Sequence, residues 1–521
     1  MNRRDLTFTM LGAIVALAAA GCGGASPATS LGPQPAIASR DRVVDFCAAC
    51  HAFPPPDSFP KASWDGEVRR GFDFYRKSDM KLSPPSIASV VAFYEREAPA
   101  AYPIIPRTKS GTSCPVAFER RDVAGPHPDA PTSIAYVGLA NLTDPKRPDV
   151  LACDMARGEL LIRRAAEPDG PATVLASDLA HPAHAEVADL DGDGIKDLLV
   201  ADLGVPMPSD ERRGRVLWLR GKKDGTYETV VLASGLGRVC DVQAADFDGD
   251  GDLDLIVAVF GWHRAGEILL LEQKPGPDGR PAFTHHQVDN RHGTIHVPVV
   301  DLNGDGKPDF VALISQEYET VVAFMNQGGG KFKPRTLFTG PHPAFGSSGL
   351  QLADIDGDGD VDVLLTNGDV YDSPLLKPYH GVSWLENRGG DREFARHEIG
   401  AVYGAHRALA GDVDGDGDLD VVAVSFLGEP FYGAARGEVG ADSVILFEQV
   451  SRGKFKRHAI ERESCDYPTL ALGDLDADGK LDLVAGRFRN FAFSPESSAG
   501  TPPPGPNAPI VIWKNLGKPK P

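Results

Sequence analysis

From about residue 115 onward, short apolar runs alternate with polar turns at intervals too brief for helices. Runs at 242–245 and 350–353 lead into an acidic turn, and runs at 198–200, 255–257 and 421–424 follow one. A third run comes after a variable loop, at 216–219, 268–271, 321–324, 382–385 and 444–447. A fourth opens near an aromatic residue: Tyr227, Phe283, Phe332, Phe394 or Phe455. Brief apolar runs bounded by Gly, Asp and Asn predict strands, four to each unit. The segment before this array behaves differently. Residues 40–46, 59–77 and 84–97 read as helices, the last placing Ile87, Val90, Val91 and Tyr94 on one face. A small all-α unit therefore precedes a long all-β array.

The acidic turn is itself a repeat. Asp-x-Asp-x-Asp-Gly-x-x-Asp begins at Asp189, Asp246, Asp354, Asp412 and Asp474, and a variant with Asn303 begins at Asp301. Successive starts lie 57, 55, 53, 58 and 62 residues apart, and a decayed copy spans 141–149. Four strands per period of about 55 residues predict the blades of a β-propeller, seven in all. The last unit ends after its third strand, 511–513, while a spare strand at 117–123 precedes the first motif. Lending that strand to the last blade closes the ring and leaves no open sheet edge.

Oxygen ligands at the first, third, fifth and ninth positions, with Gly at the sixth for a sharp turn, suit Ca²⁺. The candidate ligands are Asp189, Asp191, Asp193 and Asp197; Asp246, Asp248, Asp250 and Asp254; Asp301, Asn303, Asp305 and Asp309; Asp354, Asp356, Asp358 and Asp362; Asp412, Asp414, Asp416 and Asp420; and Asp474, Asp476, Asp478 and Asp482. An EF-hand needs Glu at position 12, where the first motif has Val200, and a strand follows instead of a helix. Residues 115–517 thus resemble the FG-GAP/VCBS repeats of integrin-α-like propellers, a likeness that implies about six bound Ca²⁺ ions. The decayed copy, with Asn141, Thr143 and Pro145, is expected to hold none.

The N-terminus carries Arg3 and Arg4, an apolar stretch from Met10 to Ala20, then Gly21-Cys22. That stretch is too short to span a bilayer and reads as an export signal over residues 1–21. Small residues before Cys22 resemble a bacterial lipoprotein signal, implying lipidation of Cys22 and a membrane anchor facing the periplasm or the cell surface. Asn2 to Leu6 also resembles a twin-arginine signal, so both export routes stay open. Residues 22–40 form a linker.

Cys47-Ala48-Ala49-Cys50-His51 has the spacing for covalent c-type haem: two thiols for the vinyl groups and an adjacent imidazole for the iron. A redox dithiol or half a zinc site would share the pair, but no second Cys pair lies nearby. Met80, between the second and third helices, is the candidate sixth ligand; His/Met ligation favours electron transfer. Residues 41–105, with Phe53-Pro54, Pro56-Asp57, Phe59-Pro60-Lys61 and Trp64, resemble a compact monohaem cytochrome c domain.

Charge and composition narrow the function. The 53 basic and 73 acidic side chains give a net charge of −20, which argues against nucleic acid as a partner. Much of this acidity sits in the six loops. The leading expectation is an exported electron-transfer lipoprotein whose propeller docks a redox partner or an extracellular polymer. The connections between second and third strands, rich in aromatics (Trp262-His263, 371–380, 426–432, 488–509), are the expected docking loops. The alternatives are a calcium-dependent adhesion or glycan- or protein-binding propeller with accessory haem, and a haem-linked redox enzyme. His184, His296 and His406 fall near the central channel, where inner-strand structure is the plainer role than catalysis. Cys114, Cys153, Cys240 and Cys465 receive no pairing from spacing.

Overall fold

The computed structural model describes residues 37–78, 80–107, 114–371, 373, 375–390, 394–489 and 507–519. The export signal and Cys22 lie outside the described residues. Seven antiparallel sheets are arranged as propeller blades, each following the order of its strands along the chain. The exception is the last blade. There Phe118–Val123 pairs with Ile510–Asn515, Phe118 opposite Asn515 and Val123 opposite Ile510. The ring is closed by the first strand of the array, as the strand count at the two ends requires.

Position within a blade decides composition. The second strands, such as Asp197–Asp202, Asp254–Val259 and Asp420–Ser425, are buried at every residue. A neighbouring blade covers each face, so they read as unbroken apolar runs instead of alternating ones. The core consequently lies between blades. Leu199, Val216 and Trp218 pack with Val242, Leu255 and Val257 of the next blade. The closing seam is filled in the same way, with Val137, Val150 and Leu161 against Val484, Ile510 and Ile512.

Two local departures have identifiable causes. The inner strand of the fourth blade is broken into Thr294–His296 and Val299–Val300. Pro298 has no N–H to give to the ladder, and the Val297 N–H donates instead to Asp241 Oδ2 at 3.0 Å. Within 426–432, expected to be loop, helix Glu429–Val439 begins. It stops at Gly440, whose φ of 57° suits glycine. Arg107 covers that end by donating to the carbonyls of Val439 (2.6 Å) and Glu438 (2.8 Å).

The preceding unit holds helices α1 (Arg40–Cys47), α2 (Trp64–Lys77) and α3 (Ile87–Glu97). The second and third begin later than periodicity suggests, because Pro60 and the pair Pro84-Pro85 disfavour helix in the residues before them. The Ser86 hydroxyl then caps α3, accepting from the Ser89 N–H. Val43, Phe59, Trp64, Val68, Phe72, Val90, Phe93 and Tyr94 form the core. Trp64 stacks on Tyr94 at 3.7 Å and donates its indole N–H to the carbonyls of Pro56 and Phe59. This unit rests on the propeller face that bears the connections between second and third strands. Ala344 enters its core, and Phe74 of α2 meets His263 edge-on at 5.4 Å.

Candidate functional sites

The haem-type motif straddles the end of α1. Cys47 is the last helical residue and Cys50 lies in the turn that follows. His51 Nδ1 sits 2.8 Å from the Ala52 carbonyl oxygen. A carbonyl only accepts, so Nδ1 carries the proton and Nε2 keeps the free lone pair that a metal needs. Met80 Sδ lies 3.2 Å from Cys50 Sγ. Burial raises the pKa of both Cys47 and Cys50, keeping them as thiols. Cys47 packs on a small aromatic core, Met80 touches Cys50, and the next residue, His51, presents a correctly polarised imidazole, a donor set of the types a c-type haem takes.

The six acidic loops share one internal geometry. The first Asp wraps its loop by accepting backbone N–H groups: Asp246 from Gly249, Asp250 and Gly251; Asp412 from Gly415, Asp416 and Gly417. The fifth Asp accepts from two residues on, as in Ile195 N–H to Asp193 at 2.9 Å. The fourth position, which the motif leaves open, is also left-handed. Ala477 fills it at φ 63° in the last loop, where the other loops use Gly.

In four loops three carboxylates each bring an oxygen within 4.8 Å of the others: Asp189, Asp191 and Asp197; Asp246, Asp248 and Asp250; Asp354, Asp356 and Asp362; Asp412, Asp414 and Asp420. One oxygen each of Asp189, Asp191, Asp356, Asp414 and Asp418 is buried with no hydrogen-bond donor. Buried anionic oxygens left without partners are costly, and a divalent cation would satisfy them. In three of these four loops, and in the last one of the chain, a basic side chain also covers one of the acids. Arg220 pairs with Asp191 (2.6 Å), Lys274 with Asp248 (3.5 Å), Arg452 with Asp356 (3.0 Å) and Lys514 with Asp476. The Asp412 loop has no such pair among the described contacts. There burial, then Asp416 and its neighbours, pushes Asp418 up to about 6.

The ninth Asp does a job that motif reading missed. Asp197 accepts from the Leu190 N–H (3.0 Å) and, with its other oxygen, from Gly221 (2.7 Å) on the third strand. Asp254, Asp309, Asp362, Asp420 and Asp482 repeat the arrangement. Even the decayed copy keeps it: Asp149 accepts from Leu142, Thr143 and Ala165. This carboxylate pins the loop to the blade whether or not an ion is held. Its persistence at 149, where the other ligand positions have changed, was the available signal. Asp149→Ala strands the buried Ala165 N–H and the partly exposed N–H groups of Leu142 and Thr143, and should cost about 1–3 kcal/mol, read as a lower urea midpoint.

In the central channel His184 Nδ1 lies 2.9 Å and His296 Nδ1 3.8 Å from opposite oxygens of Asp241. Arg407 Nη1 reaches His296 Nε2 at 3.2 Å. Burial opposes charge at His184, yet Asp241 holds its pKa above the ordinary value. His406 stays apart, its Nδ1 2.8 Å from the Pro468 carbonyl, and burial lowers it to about 4.

A cavity of about 330 Å³ lies between the helical unit (Pro55, Asp57, Ser58), the crossing from the fourth to the fifth blade (His342) and a connection of the fifth blade (Tyr379, His380). Burial, then the Lys377 ammonium, lowers His342 to about 4, with Asp57 opposing. The folded-state value lies below the unfolded one. Between pH 6.5 and 4 the unfolded chain therefore binds a proton that the native state refuses, and stability falls with pH. His342 should contribute about 2–4 kcal/mol to this acid loss. His342→Gln is expected to flatten the pH dependence of the melting temperature across that window.

The aromatic connections divide. Phe426, Tyr432 and Phe488 are buried together with Tyr403, so they are core and not docking residues. Tyr371 is 57% exposed. Residues 490–506 of the last connection lie outside the described residues. All six described cysteines, Cys114, Cys153, Cys240 and Cys465 among them, are free thiols.

A family model for an FG-GAP-like repeat matches residues 189–257 and 301–365, covering four of the six acidic loops. With the observed ring of sheets, this makes the protein a seven-bladed β-propeller that carries FG-GAP-like repeats. No curated protein matches the chain. Two similar solved structures are crystals of BBS1N in complex with ARL6DN, soaked with mercury in one case and lead in the other. The first is 13% identical with a TM-score of 0.44, covering 77% of this chain and 98% of that one. The second is 13% identical with a TM-score of 0.42, covering 76% and 95%. Likeness at this level carries no argument.

Proposed function

We propose that the protein is an exported electron-transfer lipoprotein, with covalent haem c on the helical unit and a calcium-stiffened propeller as its docking module. The observation that supports this reading is Met80 Sδ against Cys50 Sγ, beside His51 and at the end of the helix whose last residue, Cys47, packs on the three-helix core. The cysteines would hold the porphyrin by thioethers, and His51 Nε2 and Met80 Sδ would be the groups available to hold the iron. Bound there, haem supplies a one-electron couple. Trp64, Tyr94 and Phe53 exclude water from that side of the core, and the Ala52 carbonyl keeps His51 oriented.

The acidic loops would hold about six Ca²⁺ ions through the residues named above. The Asp412 loop fits best, because among the described residues no basic side chain forms a salt bridge with its acids and only Lys518 acts on Asp414 from a distance. The partner is a redox protein or an extracellular polymer met by the propeller, and lipid on Cys22 anchors the assembly to a membrane. Among the described residues no helix is long and apolar enough to cross a membrane. A denaturing gel stained for haem peroxidase activity tests the core of this reading. The full-length band should stain, and that of a Cys47→Ala, Cys50→Ala variant should not.

A further inference from the structure

Three connections from two blades converge beside the helical unit, on the face away from the acidic loops. His263 lies in the connection after strand Asp254–Val259, His292 in the crossing from the third blade to the fourth, and Glu317 in the connection after Asp309–Ile314. One ligand atom from each lies within 4.8 Å of the other two. We propose that His263, His292 and Glu317 form a mononuclear site for a divalent transition-metal ion of the zinc class.

The donor set comes first. Two imidazoles and one carboxylate suit zinc and its neighbours, whereas Ca²⁺ prefers oxygen alone. The site would therefore discriminate against the ion proposed for the acidic loops. His263 Nε2 is buried with no hydrogen-bond partner. His292 is only 7% exposed, and its Nε2 stands 2.9 Å from Glu317 Oε1. A lone ion pair would explain the last contact but neither the idle buried nitrogen of His263 nor the approach of that imidazole to the pair.

The backbone around these residues is fixed before any ion arrives. The Gly293 N–H donates to the Phe260 carbonyl (2.8 Å), and the Ser315 N–H to the Gly293 carbonyl (2.8 Å), so the three connections are laced together. Asp210, from the second blade, accepts the N–H groups of His263 (2.9 Å), Arg264 (2.9 Å) and Ala265 (3.2 Å). A Cβ on Gly266 would fall 2.3 Å from that of His292, so only glycine lets these loops close. Such support is what a metal site needs around its ligands. Three protein ligands leave a coordination position open, and Phe74 packs against His263 from the helical side. Glu317 also acts electrostatically on Cys50, which places the site next to the haem-type motif. The assignment depends on neither haem nor calcium.

The test uses the full-length protein in excess calcium, dialysed against Zn²⁺ and then against metal-free buffer. One zinc per chain should be retained. His263→Gln and Glu317→Gln should each weaken zinc binding by about tenfold or more. His286→Gln, an exposed histidine paired with Glu272, should leave zinc uptake unchanged. Co²⁺ in place of zinc should give visible d–d bands without thiolate charge transfer. His263→Gln should melt like the parent in zinc-free buffer, which separates ligand loss from misfolding. Equal zinc content in the parent and both ligand variants overturns the proposal. So does a cobalt spectrum dominated by thiolate charge transfer, which would locate the ion at Cys47 and Cys50.

Discussion

Chelating calcium should lower the melting temperature of the full-length protein by about 10 °C or more. A site held at a hundredfold excess over its dissociation constant adds about 2.7 kcal/mol, so three such sites would add about 8 kcal/mol. That is a large share of the stability of an ordinary domain. The structural reason is the set of buried carboxylate oxygens on Asp189, Asp191, Asp356, Asp414 and Asp418 that have no donor. The loops are unequal, and the inequality sharpens the expectation. Asp414→Asn, in the loop with no salt bridge among the described contacts, should reduce the calcium-dependent gain in melting temperature more than Asp476→Asn, whose partner is Lys514. Differential scanning calorimetry with and without chelator reads both effects. A melting curve indifferent to chelator would remove calcium from the account.

The second large effect concerns Met80. Met80→Ala should leave haem covalently attached through Cys47 and Cys50, yet vacate the iron's sixth position. The expected signature is a shift from low-spin to high-spin absorption, a lower reduction potential, and new binding of carbon monoxide or imidazole. The parent protein should bind neither. The basis is the approach of Met80 Sδ to within 3.2 Å of Cys50 Sγ, at the rim where the porphyrin would sit. A Met80→Ala spectrum identical to the parent's would reassign the sixth ligand.

The seven blades were legible because each repeat restates one rule, an apolar run, an acidic turn and another apolar run, and errors at one copy are corrected by the rest. The closing strand was legible because a missing strand at one end matched a spare at the other. Other features depended on the assembled ring. Asp241 lies on an inner strand of the third blade, and nothing local marks it as the partner of His184 and His296, which sit 57 and 55 residues away. The seam of His263, His292 and Glu317 comes from three separate loops, and its order depends on Asp210 from a fourth. Phe426, Tyr432 and Phe488 looked like docking aromatics because loop position suggests exposure. The helix Glu429–Val439 and the packing around Tyr403 bury them instead. Helix starts shifted where Pro60 and Pro84-Pro85 outweighed the apolar period. The ninth Asp was read as a ligand alone, since spacing shows which atoms converge but not which backbone donors they must also serve.

The proposed function rests on an electron-transferring haem on the helical unit. The reduced-minus-oxidised absorption spectrum of the purified full-length protein tests it most directly. The expected result is the sharp α and β bands of a low-spin c-type haem, one haem per chain, fully reversible on reoxidation and absent from the Cys47→Ala, Cys50→Ala variant. A folded, calcium-responsive protein with a featureless difference spectrum would contradict it.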